Sequence, residues 1–192
     1  MLAMQHDPDC AVEIVGPTYE SRTLASDADW QELLQQVCAY RNEQVIFRFC
    51  RHFAVSREEA ESILRETLKW LWLCEFNRQH NPEPIVLRID RPVKIIDEMW
   101  HNLVLHTQDY IALCKHYFGA YVHHFPATRR DHADFDRRKQ AMPETEFLEQ
   151  QRNSRWPQYS LVYDQLGEET FKTWYVRYPR EYTEQAIKEL RL

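Results

Sequence analysis

The chain has only three glycines among its 192 residues, and none of its five cysteines belongs to a Cys-x-x-Cys pair. It contains no glycine-rich phosphate loop, nucleophile elbow or dinucleotide fingerprint, which removes the enzyme classes that depend on those motifs. The odd number and wide spacing of the cysteines argue against a disulfide framework or a zinc ribbon. We expect most of them to be buried, reduced thiols.

Basic charge and long apolar runs are also scarce. The formal net charge is -6, and acidic residues interrupt the one basic stretch, Arg129–Lys139, which we interpret as a solvated loop. Since a negative chain repels phosphate backbones, we expect no nucleic-acid partner. No stretch reaches the roughly eighteen apolar residues of a membrane span. Asp7 and Asp9 lie where a signal peptide would be basic and then apolar, so we predict a soluble, cytoplasmic protein without a membrane partner.

The composition favours a folded chain. Hydrophobic residues make up 44% of the sequence and aromatic residues 13%, more than a disordered chain carries. A length of 192 residues suits one domain. Repeated helix-capping signals between short polar breaks predict an all-α fold, a helical bundle of about seven to nine helices. We expect one domain over residues 1–192, with residues 1–25 irregular or partly disordered.

Three helices are predicted before residue 80. The first begins after Ser26 or Asp27, and the second covers residues 42–53. The third begins after Ser56, extends from Arg57 to about Asn77, and is apolar on nearly every side of its second half, which is typical of a central helix covered by others. The last third of the chain continues the helical pattern in four segments: EFLEQQ, LVYDQLG, EETFKTWYVRY and TEQAIKELRL.

A central helical hairpin is predicted after Pro92. One helix covers Pro92 to Leu105 and a second covers Gln108 to Phe118, with Thr107 capping the second and Gly119 ending it in a left-handed conformation. Because the connection is short, the two helices should pack antiparallel.

Potential metal ligands converge on this hairpin. Asp97 and His101 are four residues apart, so both side chains face one way on the first helix. Cys114 lies about as far beyond the turn as His101 lies before it, and antiparallel packing should bring it close to that pair. After Gly119 the chain can return over the hairpin, and alternation in an extended segment lets His123 or His124 join the group, but not both.

A carboxylate, imidazoles and a thiolate suit zinc, with iron as the alternative metal. Four protein ligands would close the shell and make a structural or regulatory site. If Cys114 only packs, Asp97, His101 and one later histidine would make a two-histidine, one-carboxylate triad with a position open to water. Alternatively, Asp97 and His101 form a buried hydrogen-bonded pair without metal, and Cys114 is an ordinary core residue.

This stretch contains the pattern Asp-x-x-Trp-His at Asp97–His101, followed by Cys114, by Phe118 and Gly119, and by His123 and His124. With this pattern it resembles the glycine-rich domain-containing protein-like family, a domain of unknown function in bacteria and plants. The LGEE and FKTWY segments extend the resemblance more weakly, and the glycine-rich extension of the plant members is missing. Many relatives have a second histidine where this chain has Leu103, so a family ligand at that position would be absent. The resemblance implies one helical unit and no established activity. The matching residues are Asp97, Trp100, His101, Thr107, Tyr110, Cys114, Phe118, Gly119, His123, His124 and Pro126.

Two functions follow from the sequence. The first is a cytoplasmic metal-binding helical protein, which would be an enzyme if the metal shell is open. The second is an all-helical protein-interaction module whose polar cluster is structural. The sequence leaves the reaction, the oligomeric state and any protein partner open.

Overall fold

The computed structural model describes residues 26–192, and every helix or strand element in that range is helical, apart from one antiparallel bridge between Phe53 and Arg191. The predicted all-α class is confirmed. The α-helices are α1 Asp27–Cys38, α2 Glu43–His52, α3 Arg57–His80, α4 Lys94–Leu105, α5 Thr107–Phe118, α6 Arg129–Ala141, α7 Glu144–Lys172, α8 Tyr178–Glu181 and α9 Glu184–Leu190. A 3-10 turn, Arg91–Val93, leads into α4, and a π-helical segment, Thr173–Arg177, joins α7 to α8.

Helix α3 is the centre of the fold, as its apolar surface predicts. Both Trp70 and Trp72 are fully buried, and α1, α2, α4 and α7 pack around the helix. The Trp72 indole donates a hydrogen bond to the Trp30 carbonyl of α1 at 2.9 Å. On another side, the Trp174 indole donates to the buried Glu66 carboxylate at 2.8 Å. The Trp72 and Trp174 indoles therefore hold α3 to the first helix and to the C-terminal region, whereas the buried Nε1 of Trp70 has no hydrogen-bond partner among the described residues.

The segment between α3 and α4 has no regular secondary structure, and side-chain amides satisfy part of its backbone. Asn77 binds both the N–H and the carbonyl of Ile85. Gln158 of α7 does the same for Arg88. Since buried backbone groups need partners, these two amides replace the neighbouring strands that the segment lacks. They also fix the path by which the chain enters α4.

Helices α4 and α5 form the predicted hairpin, joined at His106. Gly119 ends α5 with φ 69° and ψ -4°, the left-handed conformation that the sequence predicts. Thr107 is the first residue of α5 rather than its cap, and the capping residue, His106, makes no side-chain capping bond. After Gly119 the chain returns across the hairpin without regular structure to residue 128. Residues 119–126 are called the strap below.

Two expectations for the C-terminal half are wrong. Residues 129–141 form a helix rather than a loop, because Thr128 and Asp131 make a capping box at its start. The predicted EFLEQQ and LVYDQLG helices are one helix, α7, which continues through Pro157 and is kinked at Gly167. Buried Gln158, directly after the proline, and buried Val162, just over one turn further on, anchor this part of α7 to the rest of the fold.

The expectation for residues 1–25 lies outside the residues that the structure describes. Within residues 26–192, no helix is both long enough and apolar enough to cross a bilayer. The cytoplasmic location stays a prediction.

The left-handed turn at Gly119 gives a first test of the fold. Substitution Gly119→Ala should lower the free energy of unfolding by about 1 kcal/mol, because a β-carbon is strained at positive φ. Gly119→Asn should cost less, since asparagine adopts this conformation more readily. Urea denaturation of the three proteins measures the order. Equal stability of the alanine and asparagine variants would show that the turn does not require this conformation.

Candidate metal centre

Asp97 is the central residue of the polar cluster on the hairpin. It lies in the first turn of α4, with only 10% of its side chain exposed. Its Oδ2 accepts a hydrogen bond from the Lys94 ammonium at 2.5 Å, and its Oδ1 lies 2.8 Å from Nε2 of His124. Burial by itself would raise the pKa of Asp97, but these two hydrogen bonds outweigh it and lower the pKa to about 2. The carboxylate is therefore ionised at neutral pH and ready to bind a cation.

His101 lies one helical turn beyond Asp97, as the spacing predicts. Its Nε2 is 3.8 Å from Oδ1 of Asp97, and its side chain is 51% exposed. The rings of His101 and His124 approach each other with centroids 4.6 Å apart. The two imidazoles thus converge on the same carboxylate oxygen, His101 from α4 and His124 from the strap.

His124 is held in place from two sides. Its ring packs against Trp100 with centroids 4.4 Å apart, and only 17% of its side chain is exposed. Below the ring, the Tyr110 hydroxyl accepts a hydrogen bond from the Trp100 indole at 2.9 Å and donates one to the Val122 carbonyl at 2.5 Å. This pair of bonds ties the strap to both helices of the hairpin. The histidine therefore has a defined position although its segment has no regular structure.

The group has the dimensions of a small metal site. One ligand atom each from Asp97, His101 and His124 can be chosen so that all lie within 4.8 Å of one another. Zinc bonds of about 2.0 to 2.2 Å place tetrahedral ligand atoms roughly 3.3 Å apart. The two Oδ1 to Nε2 distances, 2.8 Å and 3.8 Å, lie on either side of that separation. Small side-chain rotations would suffice to bring all three atoms onto one ion.

The structure corrects the prediction for Cys114, which is not in this group. Cys114 is buried one turn after Tyr110, on the face of α5 that meets the strap at Val122. Burial raises the pKa of its thiol to about 11, although the Val122 backbone and the Tyr110 hydroxyl act in the other direction. Antiparallel packing sets how far along the hairpin a residue lies, but not the direction in which its side chain points. Cys114 is therefore a protonated core thiol here rather than a ready metal ligand.

The strap places His124 in the group and His123 outside it. The His123 side chain is exposed, and its ring lies between those of Tyr121 and Phe125, 4.8 Å and 5.6 Å away. Val122 and His124 point inward from the same segment, as expected for alternating residues of an extended chain. The sequence limits the choice to one of two histidines, and contact with Trp100 selects the second.

Lys94 is the member of the cluster that the sequence reading missed. It is the first residue of α4, three residues before Asp97, and this i, i+3 spacing is the signal that predicts the ion pair. Leu103 is fully buried in the core, away from solvent. The metal group of the described residues therefore consists of Asp97, His101 and His124, with Lys94 beside it.

A comparison of the sequence with known proteins identifies a family for this chain but no activity. Residues 40–167, about two thirds of the chain, match the model of a family described as UCP032817-like. The chain belongs to this family. The family is uncharacterised, and its matched region spans α2 to the kink in α7 and so includes every residue of the metal group. Neither a curated protein nor a solved structure gives a significant match.

The role of Tyr110 in positioning His124 can be measured. Tyr110→Phe removes the hydroxyl and leaves the buried Trp100 indole and Val122 carbonyl without their partner, so the free energy of unfolding should fall by about 1 to 3 kcal/mol. The exposed Tyr163 gives the matched control, and Tyr163→Phe should have little effect. Urea denaturation measures both. Two variants of equal stability would show that the hydroxyl does not hold the strap.

Proposed function

We propose that this protein binds one divalent transition-metal ion through Oδ1 of Asp97 and Nε2 of His101 and His124. The observation that carries the proposal is the convergence of these three atoms from α4 and the strap. An ionised carboxylate with two imidazoles suits zinc or iron, and the borderline nature of the set makes zinc our first choice. We also keep the resemblance to the glycine-rich domain-containing protein-like family as part of the proposal, because Asp97, His101 and His124 all lie in the motif on which it rests.

With Cys114 outside the group, the protein supplies three ligands rather than four. Three ligands leave at least one position for water or another small molecule, which is the arrangement of catalytic rather than structural zinc sites. The half-exposed side chain of His101 lies at the solvent side of the group, which allows such a molecule to enter. The proposal therefore describes an open metal site and assigns no reaction to it.

Without metal, the same residues have partners among themselves. Asp97 accepts from both Lys94 and His124, so both oxygens of its carboxylate have hydrogen-bond partners without an ion. This is the observation that favours the second candidate, a structural polar cluster in a helical interaction module. The two candidates differ in what chelation and ligand substitution do.

Metal content and ligand identity provide the direct test. Protein purified without a metal-binding tag should contain about one zinc or iron per chain by elemental analysis. His101→Ala and His124→Ala should each weaken cobalt binding by more than about 100-fold, because loss of a supporting residue alone costs 10- to 100-fold. His123→Ala is the matched control, since this exposed neighbour lies outside the group. The cobalt spectrum should show no thiolate charge transfer and should be the same in Cys114→Ser.

Circular dichroism of each variant separates lost ligands from lost folding. Folded protein without metal that also fails to bind added zinc or cobalt would refute the proposal. Strong thiolate charge transfer that disappears in Cys114→Ser would return Cys114 to the ligand set and contradict an open site.

Chelation tests the same proposal through stability. A metal that binds only the native state adds RT ln(1 + [L]/Kd), about 4 kcal/mol when the metal exceeds its dissociation constant a thousandfold. Exhaustive chelation should then lower the melting temperature of the wild type and of His123→Ala by several degrees and leave His101→Ala unchanged. An unchanged wild-type melting curve, with metal loss verified, would favour the structural cluster.

A further inference from the structure

The Lys94 ammonium lies beside the metal group without being able to bind a metal. It donates to Oδ2 of Asp97, while Oδ1 of the same carboxylate faces the two imidazoles. The ammonium has three N–H donors, and the hydrogen bond to Asp97 uses one of them. The Lys94 side chain is 39% exposed, so solvent reaches part of it. The ammonium is thus bonded to the same carboxylate that would hold the metal.

The formal charges around the cluster nearly cancel when no metal is bound. Asp97 and Lys94 cancel each other, and histidines that bind a metal are neutral. The next acid along α4, Glu98, is bound through both oxygens by Arg191 at 2.9 Å, so that pair also cancels. A divalent metal would therefore leave the cluster with a local net charge of about +2, which favours a negatively charged ligand.

We propose that the open metal position and Lys94 together bind a small oxyanion, either a carboxylate or a phosphate group. This inference rests on the proposed metal function. One oxygen of the anion would coordinate the metal at about 2.0 to 2.2 Å. The same or a second oxygen would accept a charge-assisted hydrogen bond of about 2.7 to 2.9 Å from the ammonium.

The geometry suits such bridging. Lys94 and the metal would bind the two oxygens of one carboxylate, so they are neighbours on the same side chain. An anionic oxygen that contacts both could bridge a gap of up to about 5 Å, the sum of the two bond lengths. In such an arrangement the metal would act as a Lewis acid on the anion, and the Lys94 ammonium would fix its orientation.

The alternative role for Lys94 is an ordinary ion pair that holds Asp97 in place. The two roles predict different effects of a Lys94 substitution on metal affinity. If Lys94 only supports Asp97, Lys94→Met should weaken metal binding. If it acts as a cation beside the metal, the same substitution removes a repulsion and should leave metal affinity unchanged or increase it, while anion affinity falls.

In the test, metal-free full-length protein is first titrated with cobalt. The cobalt-loaded protein is then titrated separately with acetate and with inorganic phosphate. The visible spectrum reports both kinds of binding. At least one anion should change the wild-type spectrum. Lys94→Met should lower the affinity for that anion by about tenfold or more, and Lys94→Arg should have an affinity close to that of the wild type. The exposed Lys139 of α6 supplies the matched control, and Lys139→Met should behave as wild type.

The arms distinguish the outcomes. A response to acetate alone assigns a carboxylate ligand, and a response to phosphate alone assigns a phosphate. Cobalt binding with no response to either anion, or anion affinity unchanged in Lys94→Met, overturns the inference and leaves the metal site standing. Weaker cobalt binding in Lys94→Met assigns the support role instead. Absence of cobalt binding in the wild type refutes the metal function itself, and this inference with it.

Discussion

The Tyr110 hydroxyl is the contact on which the cluster depends. It accepts from the Trp100 indole of α4 and donates to the Val122 carbonyl of the strap, so one buried oxygen joins both helices of the hairpin to an irregular segment. An irregular segment has few bonds of its own, and it needs such an anchor to place a side chain reproducibly. His124 follows two residues after this anchor and packs on the same Trp100. The position of His124 is thus set by hydrogen bonds inside the core.

The helices and their faces were predictable because short-range rules govern them. Asp97 and His101 share a face by helix geometry, and the apolar surface of α3 marked it as central. What failed depends on contacts between distant residues. Cys114 lies on the predicted helix, but its direction is set by packing against Val122. Helix α7 passes through Pro157 even though proline commonly ends a helix. The α6 error was avoidable, since the Thr128 and Asp131 capping signal is visible in the sequence.

The hydrogen bonds of the cluster both hold the Asp97 carboxylate in place and keep it ionised. Asp97 is largely buried and nevertheless ionised, because His124 and Lys94 outweigh the effect of burial on its pKa. Metal binding at this site would replace the hydrogen bond between His124 and Asp97 and keep the Lys94 bond on the other oxygen. The carboxylate would then bind the metal through a single oxygen, with little rearrangement of α4. With two histidines as the other ligands, the ion would keep at least one coordination position open.

The two indole bonds to α3 determine how the family region relates to the folded chain. The region that matches the family, residues 40–167, starts after α1 and stops at the kink in α7. Trp30 and Trp174 lie outside it on either side, yet one supplies the carbonyl that pairs Trp72 and the other pairs the buried Glu66. A fragment cut to the family boundaries would therefore expose apolar faces of α3. It would also remove the Trp174 hydrogen bond to Glu66 and leave that carboxylate with its bond from Lys69. The unit defined by sequence similarity is smaller than the unit that completes its own core.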